Sequence, residues 1–159
     1  MIIFWFFILY KYSIVFKNDY SVFLFGKLIA TILNCGFVVF LIGNLGAGKT
    51  VFAKGIISGC FGKNICVKSP TFSVLEVYNT FDFYIYHFDL YRINNKNELD
   101  SIGFYDYLFG KFVLIIEWPE KFFYYFPKPH LIVNIIVLPD FSRVLNLESD
   151  FINFKSLLG

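Results

Sequence analysis

The run Gly43-Asn44-Leu45-Gly46-Ala47-Gly48-Lys49-Thr50 fits G-x-x-x-x-G-K-[ST], the phosphate-binding P-loop. Glycines let successive backbone N–H groups turn inward onto phosphate oxygens, and the N-terminus of a following helix adds positive potential. In such a loop Lys49 is expected to neutralise the β- and γ-phosphates of a nucleotide, and the Thr50 hydroxyl to complete a Mg²⁺ shell. A glycine-rich turn followed by a chance Lys-Thr is the bland alternative, and the setting opposes it. Phe37-Val38-Val39-Phe40-Leu41-Ile42 before the loop reads as a buried strand. Apolar residues at 52, 53, 56 and 57 behind it follow a helical period.

A P-loop needs a carboxylate near its metal, usually at the C-terminal end of a neighbouring buried strand. Of the 12 acidic residues, Glu117 alone directly follows four aliphatic residues, Val113 to Ile116. It is therefore expected to share Mg²⁺ with Thr50, against the alternative of an exposed glutamate at a strand end. Asp89 is the second candidate. It would hold metal or orient the attacking water, or it would simply cap the chain or pair with Arg92; spacing leaves both readings open. Arg92 and Arg143 are the only arginines, so an arginine finger in cis would have to be one of them. Trp118 reads as a packing residue. Ser69-Pro70-Thr71 reads as an ordinary turn or as a loop that senses the γ-phosphate.

These residues need elements to position them. Around Tyr12–Phe16 the sequence predicts an edge strand, and from Ser21, as a cap, a helix ending at Asn34-Cys35-Gly36. The P-loop helix is expected to stop near Gly59 and Gly62. Phe72–Tyr78 and Phe83–Asp89 read as an antiparallel hairpin around Asn79–Asp82. Period-2 geometry puts Phe83, Ile85, His87 and Asp89 on one face of its second strand. Glu98–Phe109 reads as helical with a break at Gly103, and Phe112–Ile116 as a second buried parallel strand. After an aromatic loop or short helix over Lys121–Pro129, His130–Leu138 and Arg143–Leu147 suggest a final antiparallel pair, followed by a short C-terminal helix. The expected fold is α/β: a P-loop NTPase with a mixed central sheet flanked by helices and carrying an antiparallel hairpin.

Composition narrows the class further. The chain has 159 residues, 57% of them hydrophobic and 23% aromatic, which raises the question of a membrane. The apolar start, Met1 to Tyr10, is stopped by Lys11, about half of the roughly 20 residues that a spanning helix needs. No stable membrane insertion is expected. A formal charge of +2 without a basic block argues against strong direct binding of nucleic acid. Cys35, Cys60 and Cys66 lack paired spacing, and free thiols suit a reducing cytoplasm. His87 and His130 are too few and too isolated to suggest zinc.

Four segments, in this order and spacing, resemble the TsaE (YjeE) family. They are the P-loop, Val67-Lys68-Ser69-Pro70-Thr71-Phe72, Tyr86-His87-Phe88-Asp89-Leu90-Tyr91-Arg92 and Ile116-Glu117-Trp118-Pro119-Glu120. The resemblance is strongest over residues 21–138 and implies a single P-loop ATPase domain across 1–159. It implies a Mg-dependent ATPase required for threonylcarbamoylation of adenosine 37 in tRNAs reading ANN codons. ATP would lie on Gly43–Thr50, with Mg²⁺ near Thr50 and Glu117. Lys49, Asp89 and Glu117 would serve turnover, and Ser69, Pro70 and Thr71 would form a switch. The partners implied are the TsaD and TsaB proteins as a complex, with tRNA reached through them. Asn44 stands where the family usually has Asp. A small-molecule P-loop kinase, or a nucleotide-binding adaptor without turnover, are the competing functions.

Overall fold

The computed structural model describes residues 10–63, 65–154 and 157. Its frame is a seven-stranded mixed sheet in the order β1-β7-β6-β2-β5-β4-β3. The strands are β1 (Tyr10–Phe16), β2 (Phe37–Ile42), β3 (Leu75–Asn79), β4 (Tyr84–Asp89), β5 (Phe112–Glu117), β6 (Leu131–Val137) and β7 (Arg143–Ser149). At the centre β2 runs parallel to β5 and β6, and β4 runs parallel to β5. Burial on both faces explains why β2 and β5 are unbroken apolar runs rather than alternating ones. The β3–β4 hairpin and the β6–β7 pair are antiparallel, as expected from the sequence, and the edge strand β1 pairs antiparallel with β7.

Helices cover both faces of the sheet. On one face α1 (Asp19–Ala30) and α2 (Lys49–Cys60) pack over Val39, Leu41, Ile85, Val113, Ile115 and Val133. On the other, α3 (Lys96–Ser101) and two 3₁₀ segments, Phe104–Leu108 and Glu120–Tyr125, bring Leu99, Phe104 and Phe122 onto Val38, Phe40, Phe88, Leu114 and Ile116. The period-2 reading of β4 holds: Ile85 belongs to the first core and Phe88 to the second.

Several boundaries differ from expectation. The cap of α1 is Asn18 rather than Ser21: its side chain accepts the Ser21 N–H at 2.9 Å, so the helix begins earlier. The helix stops at Ala30, where the Thr31 hydroxyl donates to the Leu28 carbonyl at 2.7 Å. The hairpin's first strand begins at Leu75, because residues 71–74 are spent on a turn. Residues 98–109 divide into the end of α3 and a 3₁₀ segment, separated at Gly103, whose φ of 68° is left-handed. The apolar residues 1–9 and most of the expected C-terminal helix lie outside the described residues. Among the described residues no helix is long and apolar enough to cross a membrane.

The two helices that hold the P-loop in place meet through glycines. A Cβ on Gly55 would fall on the Phe23 carbonyl oxygen and lie 3.0 Å from Gly26 Cα. Gly→Ala on an open helix face stabilises by about 1 kcal/mol. Here the sign is expected to reverse, with Gly55→Ala destabilising by about 1–3 kcal/mol through overpacking. Urea denaturation measures this, and a stabilised variant would show that α1 is free to move off α2.

Candidate functional site

The loop between β2 and α2 is built for close backbone approach. Gly43 has φ 145°, and a Cβ there would strike the Ile135 carbonyl oxygen, so only glycine lets the chain pass β6 at this point. Gly48, also left-handed with φ 110°, caps α2, and Lys49 and Thr50 form its first turn. No side chain caps this helix start, which leaves its N–H groups for a ligand.

Lys49 is folded back on its own loop. Its Nζ donates to the Gly43 carbonyl at 2.6 Å and to the Asn44 carbonyl at 2.9 Å, and lies 3.7 Å from the centre of the Trp118 ring. Burial pulls this ammonium below the usual lysine range, while the carboxylates of Glu117, Asp89 and Glu120 pull it back up. A partly desolvated cation beside the uncapped N-terminus of α2 is a receptor for a strongly anionic oxygen.

The carboxylates come from the adjacent parallel strands β4 and β5, where Asp89 and Glu117 are register partners. Glu117 is 2% exposed, and both its oxygens are engaged: Oε2 accepts from Thr50 Oγ1 at 3.0 Å, and Oε1 lies 2.8 Å from His87 Nε2. Asp89 Oδ2 accepts from Thr71 Oγ1 at 2.7 Å and its Oδ1 from the Tyr91 N–H at 3.0 Å. Of the two readings of Asp89, the ion pair with Arg92 is absent among the described residues; the Arg92 guanidinium lies 4.4 Å from the centre of the Phe72 ring instead. Arg143 is engaged with Asp19 at 2.6 Å and with the Phe141 carbonyl at 2.7 Å.

Ser69-Pro70-Thr71 is more than a connecting turn. Ser69 and Thr71 share a hydroxyl hydrogen bond of 2.9 Å, and Thr71 reaches Asp89. The loop ends at Val74, whose φ of 65° is a strained value for a β-branched residue. Two hydrogen bonds hold that strain: Val74 N–H to the Pro70 carbonyl at 2.6 Å, and Asp89 N–H to the Val74 carbonyl at 3.0 Å. The loop and the Asp89 strand are thus tied together.

Lys49, Thr50, Thr71, Asp89 and Glu117 line one cavity of about 200 Å³, together with Gly46 to Gly48, Asp19, Tyr91 and Trp118. Trp118 packs against the second core, as the sequence suggests, and it also covers Lys49. Its backbone is left-handed, with φ 59°, and its N–H donates to the Leu41 carbonyl at 3.2 Å, a turn that carries the indole over Lys49. Neither Trp118 nor His87 is visible from sequence as part of the group. Only the placement of His87 on the Asp89 face pointed that way.

With this geometry in view, similarity to known proteins becomes specific. Residues 16–143 match the family described as threonylcarbamoyl adenosine biosynthesis protein TsaE. The chain belongs to the TsaE family. It is 39% identical over 133 residues to the tRNA threonylcarbamoyladenosine biosynthesis protein TsaE of Rickettsia typhi, covering 84% of this chain and 92% of that one. The Haemophilus influenzae TsaE is 40% identical, covering 80% and 83% of the two chains. The crystal structure of Bacillus subtilis YdiB superposes with a TM-score of 0.75 at 26% identity, over 95% of this chain and 93% of that one. The TsaE family match takes in every residue that lines the cavity.

The donor set suits Mg²⁺. Two ligands at neighbouring corners of an octahedron with bonds of about 2.1 Å sit about 3 Å apart. Thr50 Oγ1 and Glu117 Oε2, one neutral and one anionic hard oxygen, are 3.0 Å apart. Among the described residues no three His, Cys, Asp or Glu side chains cluster as a metal cage. Mg²⁺ needs none, since it usually takes one or two protein oxygens and completes its shell with substrate phosphates and water.

Proposed function

We infer that this chain is a Mg-dependent ATPase of the cytoplasm, serving threonylcarbamoylation of tRNA by acting on a complex of TsaD and TsaB. The observation that carries the reading is the convergence of Lys49, Thr50, Asp89 and Glu117 on one cavity at the P-loop. Membership of the TsaE family supplies the pathway.

In this reading the N–H groups of Gly46 to Thr50 bind the phosphates, and Lys49 exchanges the carbonyls of Gly43 and Asn44 for phosphate oxygens. Thr50 and Glu117 would hold Mg²⁺, which would neutralise charge developing on the phosphates. Asp89 is the residue placed to orient the attacking water. Its Oδ2 accepts from Thr71 Oγ1, so a movement of the Ser69–Thr71 loop would release it. That coupling gives the loop the character of a switch.

The test is ATP hydrolysis by the purified protein, alone and with the matching TsaD–TsaB pair and tRNA. Stimulation by the complex, lost in Glu117→Ala, is the expected result. Clear ATP binding without stimulation would detach the site from this pathway. A nucleotide-dependent phosphorylated small molecule would move the chain to the kinases.

A further inference from the structure

His87 is fully buried, and its Nε2 lies 2.8 Å from Glu117 Oε1. Its other ring nitrogen, Nδ1, is buried and meets no partner among the described residues. A carboxylate accepts and does not donate, so the ring proton shared with Glu117 sits on Nε2. All of the ring's hydrogen bonding thus goes to one oxygen of one carboxylate. Glu117 divides its two oxygens in a matching way, Oε1 to His87 and Oε2 to Thr50.

We propose that His87 is a positioning residue: its Nε2–H fixes Glu117 Oε1 so that Oε2 stays aimed at Thr50 and the metal position beside it. The physical need is clear. The terminal torsion of a glutamate is broad and roughly two-fold, so a carboxylate tethered at one oxygen only can rotate. The Lys49 ammonium interacts with Glu117 and is the competing attraction. Turned toward Lys49, the carboxylate would no longer present an oxygen next to the Thr50 hydroxyl. A donor on the far side of Glu117, held rigidly within β4, prevents this. Partners that orient ligating carboxylates in this way typically change metal affinity or activity about 10–100-fold when removed.

The inference rests on the metal role given to Thr50 and Glu117, and its test separates the two. Mn²⁺ binding to the protein with a non-hydrolysable ATP analogue is followed by electron paramagnetic resonance, and metal-free analogue binding by calorimetry. His87→Leu fills similar volume without a donor, His87→Gln carries an amide that reaches the Nε2 position, and His87→Asn carries one that stops short. The expected result for His87→Leu is a dissociation constant for Mn²⁺ raised about 10–100-fold, with metal-free analogue affinity within about twofold of wild type. His87→Gln should recover most of the Mn²⁺ affinity and His87→Asn should not, a contrast that stands even where His87→Leu folds poorly. In a Glu117→Ala background, His87→Leu should add nothing further. Equal Mn²⁺ affinity in the wild type, Leu and Asn proteins would overturn the positioning role while leaving the metal site intact. Absence of tight Mn²⁺ binding in the wild type would overturn the metal site and this inference together.

Discussion

Lys49→Ala is expected to weaken ATP binding by about a hundredfold or more while leaving the chain folded. Hydrogen bonds to charged groups contribute about 1.5–3 kcal/mol each. An ammonium with three donors makes more than one of them to a polyphosphate. At about 1.4 kcal/mol per factor of ten, two such bonds account for the loss. The folded state should tolerate the change because the lysine is not a structural keystone. Burial already disfavours its charge, and the Gly43 and Asn44 carbonyls that it satisfies border a loop with Asn44 and Leu45 exposed to water. Calorimetric titration with ATP, together with thermal unfolding, distinguishes the outcomes. Unchanged affinity in a folded variant would remove the P-loop from nucleotide binding. An unfolded variant would show instead that Lys49 holds the loop together.

How much of this site was legible in the sequence depends on how local each relationship is. The P-loop was readable because strand, glycines and helix are contiguous, and each glycine answers a local demand of the backbone. The second carboxylate was readable because Val113 to Ile116 are apolar on both faces and Glu117 is the first residue that breaks the run. The alternation in β4 correctly grouped His87 with Asp89, yet nothing in the spacing said that His87 turns to Glu117. That contact depends on the parallel register of β4 with β5, in which Asp89 faces Glu117. The same dependence on tertiary placement left the pairing of Arg92 open. Three residues from Asp89, it had the spacing of a local ion pair, but Phe72 and Thr71 come from across the hairpin and take the two partners apart. The type and neighbours of Trp118 suit a core, and it does pack there. Its left-handed backbone, which no tryptophan advertises, also sets the ring over Lys49. The cap of α1 failed for a different reason. Asn18 and Ser21 are both capping residues, and only the observed acceptor geometry decides between them. The strand order likewise needed long-range pairing: β6 lies beside β2 although nearly ninety residues separate them.

Glu117→Ala should produce the largest loss of turnover of any single change here, with ATP still bound. The reason is that, among the described residues, the Glu117 side chain hydrogen-bonds Thr50 through Oε2 and His87 through Oε1 and no backbone group of the phosphate loop. Removing it leaves the N–H groups of the loop and Lys49 in place to hold phosphates, and takes away the anionic oxygen proposed to share Mg²⁺ with Thr50. Loss of an electrostatic contribution of about 3–4 kcal/mol to the transition state corresponds to a rate reduction of about 10²–10³. Asp89→Ala acts by a separate route, since Asp89 bonds to Thr71 and the Tyr91 N–H rather than to Thr50. Its turnover should also fall, but without a change in the Mg²⁺ concentration needed for half-maximal rate, whereas Glu117→Ala should require far more Mg²⁺ for whatever rate remains. Initial rates at fixed ATP across a Mg²⁺ titration separate the two carboxylates. A Glu117→Ala protein with a wild-type rate and Mg²⁺ requirement would return Glu117 to the role of a buried strand-end residue paired with His87. A raised Mg²⁺ requirement in Asp89→Ala would place both carboxylates on the metal.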